Sequence, residues 1–298
     1  MTVINTNTAA TLAANALTKN ERAMNQTMER LSTGQRINSA ADDAAGLAIS
    51  SKMTSQINGL NMAVKNANDA ISMLQTYDGA LIEISNMSQR MRELAVQSAS
   101  DTNTTADRTA LNTEFEQLTA EIERIADNTQ WNGTNLLDGT LSAAQDFQVG
   151  ANANQTISIT FADANIAHGN QVQATALFGG LDSATYGQGT IDAANGIDAR
   201  DILDKTKANL VITDMDNALS KINTFRATVG ATINRLEYAV DNLSNVSQNA
   251  SASRSRILDA DYASETTELA RTQIIQQAGT AMLSQANQQA QSVLALLK

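Results

Sequence analysis

Apolar side chains recur every seven positions at the start of the chain: Val3, Ala10, Leu17, Met24 and Leu31, with Ala13, Ala14 and Met28 between them. A narrow stripe of that period is the seam two helices share in a coiled coil. The residues around it are rich in Asn and Thr, which are poor helix formers. Ordering each backbone costs about 1–2 kcal/mol, whereas burying one bulky apolar side chain returns only about 1.5–3 kcal/mol. This helix therefore needs a partner. The far end of the chain offers one, because Leu283, Ala290 and Leu297 are seven apart and Gly279, Ala286 and Val293 interleave with them. Small residues in that row let two backbones approach closely. The matching seams predict a hairpin whose ends pack together.

After Leu31 the pattern breaks at Ser32-Thr33-Gly34, and Ser39 or Asp42 is placed to cap the next helix. From Ala44 to Ser100 the seven-residue period returns, with Met53, Leu60, Ala67, Leu74 and Leu81 in one row and Ile57, Val64 and Ile71 in a second. Met87, Met91 and Leu94 continue the stripe in shifted phase. A helix of that length is roughly 85 Å long, which predicts a rod. Asp101 to Thr104 reads as a turn with Thr104 as cap, and Leu111, Phe115, Leu118, Ile122 and Ile125 predict a helix stopping at Asn128.

Residues 131–162 change character. Asn132-Gly133 and Asp138-Gly139 are turn pairs, and Ile157, Ile159 and Phe161 alternate as in a strand, predicting a small β-hairpin region. Residues 163–202 have few long apolar side chains and read as a short surface insert. Met215, Ile222, Val229, Leu236, Leu243, Ala250 and Ile257 then hold one heptad register, until Leu258-Asp259-Ala260-Asp261 marks a second break with Asp259 or Asp261 as cap.

The breaks lie at mirrored distances from the two ends. The expected fold is mainly α: a long antiparallel helical-bundle or coiled-coil hairpin rod with a small β-hairpin region and packed termini. Residues 1–43 with 259–298 form a terminal coiled coil, 44–162 with 203–258 the rod, and 163–202 the insert.

Composition supports long helices. There is no proline in 298 residues, although about 5% is usual, and proline is the residue that breaks the helical ladder. The absence of cysteine excludes disulfides and thiolate metal sites. No apolar run is long enough to span a membrane, and the N-terminus lacks the basic and apolar regions of a cleavable signal peptide. Net charge is −11. The two terminal segments are close to neutral: Lys19, Arg22, Arg30 and Arg36 offset Glu21, Glu29 and Asp42, and Arg271 and Lys298 offset Glu265 and Glu268. The acidic excess thus lies in the middle, as suits near-neutral ends packed among neighbours and an acidic outside, and it argues against nucleic acid.

Catalytic chemistry finds little support. His168, the only histidine, lies in the insert. The carboxylates of Asp42, Asp43, Asp259 and Asp261 stand at predicted helix starts, where they favour the helix dipole. No phosphate loop, dinucleotide fingerprint or nucleophile with a usable base is present. The expectation is a structural protein without a metal or cofactor.

Two stretches carry a resemblance. Val3-Ile4-Asn5-Thr6-Asn7 and the run RLSTGQRINSAADDAAGLAI from Arg30 to Ile49 resemble the N-terminal signature of bacterial flagellin. SRILDADYASE from Ser255 to Glu265 and QQAGTAMLSQANQ from Gln276 to Gln288 resemble its C-terminal signature. The resemblance covers residues 1–160 and 205–298. It implies a subunit exported through the flagellar type III apparatus and polymerised with other copies into the extracellular filament. An export chaperone, the filament cap and hook-associated proteins are the implied partners. The seam of Val3, Ala10, Leu17, Met24, Leu31, Leu283, Ala290, Val293 and Leu297 would then be the polymerisation seam.

The stretch from Gln89 to Gln97, QRMRELAVQ, further resembles the segment by which many flagellins engage the vertebrate Toll-like receptor for flagellin. Arg90, Leu94 and Glu114 match the contact positions and Met91 departs mildly. The alternative within the family is a hook–filament junction protein. A cytoplasmic chemoreceptor-like signalling hairpin would share the heptads, but not the β-hairpin region or the mirrored breaks.

Overall fold

The structure is a computed structural model that describes residues 7–141, 143–164, 177–178 and 201–295, the side chains of 9 and 289–295 excepted. Among the described residues there are five helices: α1 Thr8–Thr33, α2 Ala44–Ser98, α3 Thr105–Asn128, α4 Lys205–Leu258 and α5 Tyr262–Ala295. The described residues between α3 and α4 form two short antiparallel pairs, β1 Gln130–Trp131 with β2 Thr134–Asn135, and β3 Gln145–Gln148 with β4 Thr156–Ile159. The mainly helical class, the long packed helices and the small hairpins are those the heptads and turn pairs predicted. His168 and most of the insert at 163–202 lie outside the described residues.

Each helix start has a local cause. Thr104 and Asp107 form a capping box at α3: the Thr104 hydroxyl accepts from the Asp107 N–H, and the Asp107 carboxylate accepts from the Thr104 N–H at 2.9 Å. At α5 the cap is Asp261, whose Oδ1 accepts from Ala263 N at 3.0 Å. At α2 the expectation of Ser39 or Asp42 is corrected, because Asp43 is the cap, accepting from Gly46 N at 2.9 Å. Asp42 instead ties the preceding loop, accepting from Ser39 N at 2.9 Å, Asn38 N at 3.2 Å and Gln26 Nε2 at 2.8 Å. Two adjacent carboxylates thus divide the work of loop and helix.

The chain divides into two compact units. One comprises Met1–Ile57 with Ser247–Lys298, the other Asn58–Val246. In the second unit, Leu60, Ala67, Leu74 and Leu81 of α2 and Met215, Ile222, Val229 and Leu236 of α4 are buried. Arg226 of α4 pairs with Asp78 of α2 at 2.9 Å and Arg92 of α2 with Asp216 of α4 at 2.6 Å, an order that makes the helices antiparallel. Tyr77 anchors the hairpin region: its hydroxyl accepts from Ala162 N at 2.8 Å and its ring meets Phe161 edge-on at 5.0 Å. Burial pushes the Tyr77 phenol upward in pKa, so it remains protonated. The β1–β2 turn places Asn132 and Gly133 at φ 50° and 78°, the left-handed pair that a two-residue hairpin loop requires.

Candidate assembly interface

The first unit is built on the pairing of α1 with α5. Asn7 Nδ2 donates to Ala286 O at 3.2 Å, Asn20 Nδ2 to Thr272 O at 2.8 Å, and Arg30 Nη1 to Glu265 Oε1 at 3.2 Å. Partners descend along α5 as residues ascend along α1, so the helices are antiparallel. On α1 the inward positions are Ala10, Ala13, Leu17, Asn20, Met24, Thr27 and Leu31; on α5 they are Glu265, Leu269, Thr272, Gln276, Gly279, Leu283 and Ala286. Both series step by threes and fours, the spacing of a heptad seam.

Close approach depends on small residues. Among the described helices, only α1 and α5 bring their backbones so near along their length. A Cβ at Gly279 would run into the Leu17 Cδ1 methyl, so Leu17 fills the space that glycine leaves. Of the sequence-predicted seam, Ala10, Leu17, Met24, Leu31 and Leu283 lie half-buried in this pairing. Val3 and Leu297, and the side chains of Ala290 and Val293, lie outside the described residues.

Sequence reasoning missed the polar layer inside the seam. Asn20 is buried and also donates to Gln276 Oε1 at 3.2 Å. A signal for it exists, since a lone Asn in the interleaved row Ala13-Asn20-Thr27 is a known device for fixing register. Where Arg30 and Glu265 meet, Gln26, Thr27, Ser264 and Glu268 line a cleft of about 520 Å³ with them.

The two breaks in the heptad pattern are tied to each other. Gly34, at φ 69°, ends α1 and accepts from Ala260 N at 3.0 Å. Arg36 donates from its backbone N to Leu258 O at 2.6 Å and from Nη2 to Ile257 O at 2.8 Å. The chain leaves α1 and enters α5 through this short bridge.

A second candidate surface lies on α2 and α3. Exposed Arg90 and half-buried Glu114 are joined at 2.8 Å, and Arg90 also reaches Glu93 at 3.1 Å. The hydrogen bond to Glu114, then that to Glu93, hold the Arg90 guanidinium above its ordinary pKa. Leu94 is different. It is 0% exposed, as is Met91, so both belong to the core beneath this face.

A helical subunit whose first and last helices close an antiparallel pair, with large apolar side chains left bare on that pair, has the form of an assembly protein. Similarity to known proteins identifies which. Residues 4–142 match the bacterial flagellin N-terminal helical region and residues 212–297 the C-terminal helical region. The chain is 45% identical over 296 residues to a flagellin of Halalkalibacterium halodurans, spanning 99% of this chain and 100% of that one. It is 43% identical over 307 residues to a flagellin of Bacillus subtilis, covering 99% of each. It is also 40% identical over 305 residues to the flagellar filament 33 kDa core protein of Treponema phagedenis, covering 99% of this chain and 100% of that one. The chain belongs to the bacterial flagellin family and is a structural subunit of the extracellular flagellar filament. A solved flagellar hook-associated protein of Vibrio parahaemolyticus covers 73% of this chain with TM-score 0.56 at 13% identity, a likeness of fold alone.

Proposed function

We propose that the α1–α5 pair is the element through which this subunit polymerises. The seam of Val3, Ala10, Leu17, Met24, Leu31, Leu283, Ala290, Val293 and Leu297 must close for that to happen. The observation that supports this most directly is Leu17 seated over Gly279, which brings the first and last helices together as one body. The role is structural rather than catalytic. As the flagellin signatures imply, the subunit travels through the flagellar type III apparatus with an export chaperone and joins the filament beneath its cap, next to hook-associated proteins.

Seeded polymerisation followed by electron microscopy tests this reading. Leu283→Asp puts a carboxylate into the seam opposite apolar neighbours, at a cost of several kcal/mol. Filament growth from seeds should stop while the melting transition of the Asn58–Val246 unit stays unchanged. Normal growth would mean that the seam is not required.

The Arg90–Glu114 face supports a second role, as ligand of the vertebrate Toll-like receptor for flagellin. Arg90 and Glu114 present charge on the surface, and Leu94 acts from beneath by holding α2 in place. Arg90→Ala alone should lower signalling by monomer in receptor-bearing cells without a change in melting temperature. Undiminished signalling from that variant would remove Arg90 from the site.

A further inference from the structure

Three Asn-Gly pairs stand in the sequence: Asn58-Gly59, Asn132-Gly133 and Asn195-Gly196. Asparagine is a chemically labile residue, and glycine after it has no Cβ to keep its own backbone nitrogen away from the neighbouring side-chain amide. The fold treats the two described pairs differently; Asn195-Gly196 lies outside the described residues. Asn58-Gly59 is inside α2, where each amide is bound into the i→i−4 ladder, and a Cβ on Gly59 would meet the Ala151 Cβ at 3.1 Å.

Asn132-Gly133 forms the loop of the β1–β2 hairpin, between the paired Trp131 and Thr134. Both residues are exposed, and nothing lies within 4 Å of where a Gly133 Cβ would stand. Among the described residues nothing hydrogen-bonds the Asn132 side chain. The strands on either side are two residues long, too short to be stable alone, so this loop opens at little cost. Opening lets the Asn132 backbone turn Gly133 N toward the Asn132 side chain, a rotation that the helix forbids at Asn58.

Exposure and a left-handed backbone are not enough by themselves. Asn154 has both, at φ 64°, but Gln155 follows it and its side chain crowds the attacking nitrogen. At Asp138-Gly139 the carboxylate is taken up by Asn135 Nδ2 at 3.0 Å and Thr140 N at 3.0 Å, and Gly139 is packed against Asp163.

We infer that Asn132 is a site of spontaneous deamidation, and that its isoaspartyl product undoes the β1–β2 pairing around Trp131. Gly133 N attacks Asn132 Cγ. The N–Cγ bond forms, the Cγ–Nδ2 bond breaks, and Nδ2 leaves as ammonia with the proton of the Gly133 amide, closing a five-membered imide. One water then opens the ring, its hydroxyl going to the attacked carbonyl carbon and its proton to the nitrogen. Opening at Cγ gives aspartate; opening at the backbone carbonyl gives isoaspartate, in which the main chain runs through the former side chain. The net change is one water in and one ammonia out.

The isoaspartyl link adds a carbon to the main chain of a loop whose length sets the register. Trp131 packs half-buried against the core, and Leu136 and Leu137, just beyond β2, are buried. Leu136 N is held on Thr129 O at 3.0 Å, so the extra carbon falls inside a closed hairpin and separates Trp131 from Thr134.

The full chain is incubated in neutral buffer at physiological temperature, and each conversion is located by site-resolved mass spectrometry. Asn132 should gain the mass of amide-to-acid exchange more than about ten-fold faster than Asn58 and Asn154. The gain should quicken as pH rises, since the attacking nitrogen must shed its proton. In denaturant Asn58 should catch up with Asn132 while Asn154 stays slow. Equal conversion of Asn58 and Asn132 in the folded chain, or an Asn132 that stays intact, overturns the inference.

Trp131 is the only tryptophan, so its emission reports the hairpin alone. It should shift to the red as isoaspartate accumulates. Asn132→Gly keeps a loop pair that hairpins favour but has no side-chain amide, so its emission should hold steady through the same incubation. An equal shift in that variant, or an unchanged emission from the converted wild-type chain, would overturn the link between the modification and the hairpin.

Discussion

Neighbouring residues on one helix have opposite fates in this subunit. Arg90 and Leu94 are one turn apart, yet one makes surface ion pairs and the other is sealed in the core. Leu94→Ala removes buried methyl groups and should cost about 2–5 kcal/mol, whereas Arg90→Ala loses only solvent-screened ion pairs to Glu114 and Glu93 and should barely move the melt. Thermal melts of the two single variants should therefore separate widely, and equal melts would contradict the burial of Leu94. Asp42 offers a pH test. Hydrogen bonds from the Ser39 backbone, then the Gln26 side chain, hold its carboxyl below the ordinary value of 3.8. A depressed carboxyl stabilises the fold above its unfolded pKa and loses that contribution as pH falls through the folded one. The Ser39 amide should stay protected from exchange near neutrality and lose protection only below about pH 4. In Asp42→Asn that dependence should vanish; a loss of protection already at neutral pH in the wild-type chain would contradict the loop geometry.

At the scale of elements, α1 and α5 are held by shape and by a polar layer rather than by a large core. Asn20 and Gln276 sit where a coiled coil places a buried polar pair, and such a pair fixes register at a cost in stability. Asn20→Leu should raise the thermal stability of the α1–α5 pair yet reduce the uniformity of filaments, as judged by the sharpness of their layer lines in electron micrographs. Unaltered layer lines would assign register to the small residues alone. Helix α2 has a clear seven-residue rhythm in the sequence, but its companion row differs from the one that bulk suggests. Ile57, Val64 and Ile71 have the size of core partners, yet Val64 and Ile71 are only partly buried. The buried companion row is Ala63, Ala70, Tyr77, Ile84 and Met91, followed by Ser98. Alanine and serine carry little apolar signal, so bulkier neighbours outweigh this row in the sequence.

For the molecule as a whole, the two units differ in how deeply they bury their contacts. The Asn58–Val246 unit has fully enclosed apolar side chains such as Leu74, Leu81, Phe115 and Ile122, whereas the apolar α1–α5 seam residues Leu17, Met24, Leu31 and Leu283 are half-buried. Local opening follows the density of buried apolar contact. Backbone amides of α1 and α5 in the monomer should exchange faster than those of α3 and the middle of α4, and proteases should cut first near residues 32–43 and 258–261. In seeded filaments the difference should shrink as neighbouring copies cover the terminal pair. Equal exchange in the free monomer would mean that the terminal pair is as stable as the rest.

The sequence by itself determined the period of the helices, their breaks, the Asn132-Gly133 hairpin turn and the family, because heptads, Asn-Gly pairs, missing proline and the terminal signatures are local properties of the chain. It also pointed to the ends meeting, since two matching seams of small and apolar residues stand at opposite ends of the chain. It did not determine the companion row of α2, because apolar and small residues compete for that place and only packing against a particular neighbour resolves it. The tertiary structure alone decided that Leu94 lies inside while Arg90 lies outside, and that Asp43 rather than Asp42 starts α2. The burial of Leu94 depends on residues far apart in sequence being brought within a few ångströms, a distance that periodicity along one chain does not encode, whereas the α2 cap is a local choice between two adjacent carboxylates of equal capping chemistry.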